Sequence, residues 1–249
     1  MTVAAQSAVP TSLTFPSDFI FEGRQPDIAL QSSNGIVSYT HRNRLSMVSN
    51  NAFNDLLNTH GVDAGGAVVI ITIAESSALV DALVHVIYNR PFVEAKPKLE
   101  TLLATISALK TYGIPLERFV SPTMPLYDQI IVETPKNPME VFLTAAENKL
   151  EVLATASSGH LLSIDLPDIT DEQAERMGVR YYRRLVQLHF FRLEELGRIM
   201  AEVPVPRLEH AAECVIAQER QVESGWAKGA ANLARNLRAG QLSTNVRLE

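Results

Sequence analysis

The chain has 249 residues, 46% of them hydrophobic and 20% charged, with 22 Lys and Arg against 28 Asp and Glu. That length and apolar content give a core without staples and exclude a disordered composition. The single cysteine, Cys214, excludes an intrachain disulfide framework and a cysteine-based zinc cluster. It points to an intracellular protein, with cytoplasm and nucleus equally open. A net charge of −6 excludes polyanion binding by bulk electrostatics.

The opening Met1 to Thr14 is small, polar and Pro-bearing, without the positive start and apolar run of a signal peptide. It predicts a disordered arm over residues 1–16. No later run approaches the roughly 18 apolar residues of a transmembrane helix, so no membrane partner is expected.

Asp27 to Gln31 alternates apolar and polar residues, Ser32-Ser33-Asn34-Gly35 follows, and Ile36 to Thr40 alternates again. Asn-Gly between two such runs predicts a hairpin with φ > 0 at both turn positions. From His41 the period changes: Leu45, Val48, Phe53, Leu56 and Leu57 predict one or two short helices. Gly61 to Gly66 reads as a plain loop. The β-branched run Val68 to Ile73 predicts a buried third strand. Ser76 or Ser77 caps a helix with Leu79, Leu83, Val86 and Ile87 on one stripe. A further helix runs from about Lys98 to Tyr112 and stops at Gly113, before Pro115.

Strand signals end at about Pro122. Asn137-Pro138-Met139-Glu140 is a helix start, with Val141, Phe142, Ala145, Ala146, Leu150 and Leu153 following up to Gly159. Thr170-Asp171-Glu172-Gln173 is a capping box opening a long helix. Its expected apolar stripe is Val179, Tyr182, Val186, His189, Phe190, Leu193, Leu196 and Met200. Leu208 to Leu237 offers one or two amphipathic helices around Trp226, before a polar tail. The fold class is therefore α+β: a sheet-bearing half up to about 122, then a helical half.

Charge is unevenly spread, with an acidic block over 128–172, an Arg-rich stretch over 176–198 and a basic stretch after Ser224. Such neighbours suit complementarity within or between copies of the chain. Arg180-Tyr181-Tyr182-Arg183-Arg184 interleaves aromatics with arginine as a nucleic-acid contact would, but the upstream acids disfavour that partner. Tyr182 sits on the apolar stripe and the arginines form a solvated face.

Catalytic constellations fail. No phosphate-binding glycine motif precedes a helix, and Gly65-Gly66 precedes a strand. Ser157-Ser158-Gly159-His160 places Ser near His only at a helix end, with no nucleophile elbow. Cys214 reads as a packed thiol. His210, Glu213 and Cys214 share a helix face but lack a fourth ligand. No catalytic residue, cofactor or metal site is expected, and the chain reads as a non-enzyme. His41, between strand and helix, is expected to be a hydrogen-bonded structural residue more than a functional one.

Several features occur in a familiar order. Asp27 to Gly35, then His41-Arg42, Leu45-Ser46, Ser49 and Phe53-Asn54-Asp55-Leu56 resemble the BTB/POZ domain. Val68 to Ile73, Glu75-Ser76-Ser77, the helix ending at Tyr88, and Leu99 to Ile114 fit the same scheme. The Pro138 to Ala146 helix and the Arg-rich helix after Asp171 resemble the BTB proteins abundant in mushroom-forming fungi. The resemblance covers about 17–200, most strongly 26–57 and 98–158. It implies a BTB/POZ fold over 17–122 and a helical extension over 123–205; beyond these the sequence reads as a C-terminal helical segment and polar tail over 206–249. The resemblance implies a non-enzymatic protein–protein interaction module, a homodimerising scaffold or adaptor that recruits a protein partner. The alternatives are a substrate adaptor binding a cullin-type ubiquitin ligase, and a transcription-linked protein. Asp27, His41 and Arg42 are the candidate protein-binding residues. Asp27 and Arg42 match positions that line a charged pocket at the dimer interface in some relatives, and the competing reading makes them a buried structural pair.

Overall fold

The computed structural model describes residues 10–61, 67–93, 96–202 and 212–238; in the last segment only the side chains of 220–233 are described. Strands β1 (Ile28–Gln31) and β2 (Val37–Thr40) pair antiparallel, with Ile28 opposite Thr40 and Gln31 opposite Val37. The connection differs from expectation. Gly35 N–H donates to Ser32 O and Ser32 N–H to Ile36 O, both at 2.9 Å, and only Gly35 has positive φ, +83°. This is a type I turn followed by a left-handed glycine, so Asn34 keeps an ordinary φ and its side chain is free to act elsewhere.

Helices α1 (Arg42–Val48) and α2 (Leu56–Thr59) follow. Between them Ala52, Phe53, Asn54 and Asp55 are all left-handed, with φ of 52° to 63°. The Ser49 hydroxyl holds this turn, accepting Phe53 N–H at 2.7 Å and donating to Tyr112 O at 2.7 Å. Phe53 is thereby buried flat against Tyr112, with ring centroids 4.2 Å apart.

Strand β3 (Val69–Thr72) returns beside β1 in parallel, giving the order β2-β1-β3. The expectation of a buried strand is corrected here. Successive side chains point to opposite faces of the sheet, so Ile71 is buried on one face while Ile70 and Thr72 are exposed on the other. Helices α3 (Ser77–Ile87) and α4 (Leu99–Thr111) pack together, with α3 also against β2 and α1. Ile28, Leu30, Ile71, Leu83, Ile87, Leu102, Ile106 and Leu109 form the centre of this core. Each such side chain contributes roughly 1.5–3 kcal/mol of burial.

Gly113 ends α4 at φ +67°, and its carbonyl accepts Asn50 N–H at 2.8 Å. Next come α5 (Leu116–Phe119) and α6 (Pro125–Glu133). Asn137 caps α7 (Pro138–Glu147), its side chain accepting Glu140 N–H at 3.4 Å. The single helical run expected from there to Gly159 is broken at Lys149, φ 58°, before α8 (Glu151–Ser158).

The chain divides into two compact units, Met1–Ser157 and Ser158–Glu249. Helices α6 and α7 thus belong with the sheet, and the division expected at 122 falls at 157. The arm expected to be disordered through residue 16 also needs correcting from Pro10 onward. Val37 N–H donates to Pro10 O at 2.9 Å, Ser12 N–H to Val37 O at 2.8 Å, and Phe15 is 0% exposed. Residues 1–9 lie outside the described residues.

The second unit is built on α9 (Asp171–Ala201) and α10 (Ala212–Arg238). The capping box is formed: Thr170 Oγ1 accepts Gln173 N–H and Gln173 Oε1 accepts Thr170 N–H. Gly178, at φ +70°, kinks α9 near its start and shifts the phase of everything after it. The buried residues are Met177, Tyr181 and Leu185, whereas Val179 of the expected stripe is 86% exposed. Trp226 Nε1–H of α10 donates to Met200 O at 3.0 Å.

Candidate functional site

Asp27, His41 and Arg42 meet where the hairpin runs into α1. The exposed Asp27 accepts Arg42 N–H at 2.7 Å, placing a carboxylate at the start of α1, where the helix dipole favours it. The Arg42 guanidinium turns the other way. It donates to Leu57 O at 2.7 Å, His60 O at 2.5 Å and Gly61 O at 3.1 Å, satisfying carbonyls at the end of α2. The buried Asp27–Arg42 pair is therefore corrected: both side chains bond backbone, and Asp27 is open to solvent. Each closes a helix terminus that the short α1 and α2 leave unsatisfied.

His41 is buried and its ring is bonded on both sides. Tyr88 Oη accepts His41 N–H at 2.9 Å and lies 2.7 Å from Nδ1, while Nε2 lies 3.1 Å from Arg24 O. Since Tyr88 has one proton to give, the network assigns it to Nδ1 and places the ring proton on Nε2, toward Arg24 O. Burial pushes the Tyr88 hydroxyl above its ordinary pKa, which keeps that proton in place.

Sequence reasoning missed the aromatic cluster built around this pair. Phe19 and Phe21 meet the Tyr88 ring edge-on at 5.0 and 4.8 Å, and Phe15 meets Phe19 at 5.2 Å. Arg44 lies over Phe21 and donates to Ile87 O at the end of α3. The available signal was three phenylalanines spaced over residues 15–21, the first of them at the end of the arm expected to be disordered. The arm is also pinned to α3, where Ser12 Oγ donates to Asp81 at 2.9 Å and Asp81 stands 3.7 Å from His85 Nε2. Beside it a cavity of about 290 Å³ is lined by Leu13, Thr14, His85, Arg90, Pro91 and Val93.

The remaining candidates hold structural positions. Ser157 is buried, its hydroxyl donating to Leu153 O at 2.9 Å. Tyr112 donates to Glu75 at 2.5 Å, and burial together with that carboxylate raises its pKa. His210 and the side chains of Glu213 and Cys214 lie outside the described residues. Among those described, no group of three metal-ligating side chains gathers. No helix among them is long and apolar enough to cross a membrane.

What the described surface offers instead is apolar. On α9, Phe190 and Phe191 are 63% and 67% exposed, and Leu193 and Ile199 are exposed with them. Arg198 alongside is held by Glu195 and Glu202, and that bonding lowers the Glu195 pKa. Compared with known proteins, the chain matches no family model and no curated sequence.

Proposed function

We propose that this chain is a non-enzymatic protein–protein interaction module of BTB/POZ type, a scaffold or adaptor that self-associates and recruits a protein partner. The observation that carries this reading is the exposure of Phe190, Phe191, Leu193 and Ile199 on a helix whose buried residues all lie in its first half. Large aromatic and aliphatic side chains left exposed along one helix suit a protein partner, since aromatics dominate binding hot spots. The hairpin, the two short helices, the parallel third strand and the packed α3 and α4 support the BTB-type part of the reading. The commitment of Asp27, His41, Arg42 and Ser157 to structural bonds supports the non-enzymatic part.

Light scattering behind size exclusion, across micromolar concentrations, tests it. A mass near twice 27.4 kDa is expected. A monomer mass throughout overturns self-association.

A further inference from the structure

Both ends of the strand order β2-β1-β3 are sheet edges, and the fold treats them differently. The arm covers β2: Pro10 and Ser12 take both backbone groups of Val37. Strand β3 uses one side only. Val69 N–H donates to Asp27 O at 3.1 Å and Ile73 N–H to Gln31 O at 2.9 Å. Backbone groups of successive strand residues point to opposite sides, so those of Val68, Ile70 and Thr72 point away from β1. Among the described residues no strand pairs with that side. Val68 and Ile70 are 37% and 52% exposed. From Gly65 to Ala74 the sequence holds no Lys, Arg, Asp, Glu or Pro. Charge, proline and bulges are how proteins blunt an open edge, and here the first two are missing.

We propose that β3 is the self-association surface: two copies pair β3 against β3, antiparallel, about a twofold axis at Ile70. This rests on the self-association reading above and names its interface. Ile70 then faces Ile70 of the partner subunit, and Val68 faces Thr72 of the partner subunit. Each of these pairs exchanges both backbone hydrogen bonds, which satisfies groups the edge otherwise leaves to water. A second copy fits because the edge is β-branched at every position, the same read in either direction. It also carries no charge that a twofold would set against itself.

The full-length chain tests this by light scattering over a concentration series, with amide exchange read at Ile70 and Thr72. The two amides are expected to slow as the dimer forms. Ile70→Lys is expected to weaken the dimer by about tenfold or more, since it sets like charges opposite each other. Thr72→Pro removes an outward N–H that β1 does not use and is expected to weaken it likewise. Circular dichroism reports whether each variant folds; should either fail, amide exchange on the unaltered chain decides. A dimer that survives both substitutions, or whose two amides stay unprotected, overturns this interface and leaves self-association standing. A chain that is monomeric at every concentration overturns both.

Discussion

Asn34, in the turn between β1 and β2, caps a helix that begins more than forty residues later. Its Oδ1 accepts Ser77 N–H at 2.9 Å and its Nδ2 donates to the Ser77 hydroxyl at 2.8 Å. Ser76, the residue at the N-cap position of α3, makes no side-chain cap. A local turn thus fixes where a distant helix starts, and adds hydrogen bonds to the packing of α3 against the hairpin.

Loss of that clasp should behave as loss of a helix cap. Asn34→Ala is expected to cost about 1 kcal/mol, read as a lower urea midpoint with unchanged slope. Asn34→Asp keeps the acceptor and puts negative charge at the N-terminus of α3, so it should retain most of the stability. Equal losses in the two variants would show that the Ser77 hydroxyl bond, and not the cap, carries the effect.

Gly113 and Gly35 are both left-handed, at φ +67° and +83°, yet they differ in surroundings. A Cβ at Gly35 meets open space, whereas one at Gly113 falls 2.9 Å from Asn51 N and closer still to its side chain. Gly35→Ala should cost only the left-handed penalty of about 1–2 kcal/mol. Gly113→Ala adds the clash and breaks the tie between α4 and the Ser49–Asn51 turn, so its melting temperature should fall distinctly further.

The left-handed run at residues 52–55 makes the opposite prediction. Ala52 holds φ 52° without a side-chain bond to stabilise that conformation. Glycine adopts it freely, so Ala52→Gly should raise stability, by up to about 1 kcal/mol after glycine's larger unfolded-state entropy is set against it. Chemical denaturation of the two proteins side by side reads the sign. A loss of stability would mean that the half-buried Ala52 methyl contributes more than the strain costs.

Local signals were legible because they act over a few residues. The Gly35 hairpin, the Asn137 cap, the Thr170 capping box and the Gly113 stop all stand where their neighbours dictate. Signals that depend on distant partners were not. The parallel pairing of β3 to β1, which makes β3 an edge, leaves no mark in a run of Val and Ile. A constant helical period puts the stripe of α9 on Val179, Tyr182 and Val186, whereas with the backbone turned at Gly178 the buried residues are Met177, Tyr181 and Leu185. In the candidate site, the His41 environment was anticipated in kind, while its partner Tyr88 and the Phe19 and Phe21 edges came from segments far apart in the chain.

His189, on α9, gives the second unit a pH dependence of defined sign. Burial, the largest cause, lowers its pKa below the ordinary 6.5, with Leu161's backbone opposing and Arg192's charge adding to the fall. The folded protein therefore holds the neutral ring more strongly than the unfolded chain does. As pH falls through 6.5 the unfolded chain takes up its proton first, so this contribution to stability, present above that pH, is lost toward the depressed native value. An imidazole titration by NMR should show His189 with a midpoint below 6.5. Comparing helix melting of the wild type with that of His189→Leu isolates the linkage from the many carboxylates. The wild type should lose more stability between neutral and mildly acidic pH, and parallel losses in the two proteins would show that the ring does not carry the effect.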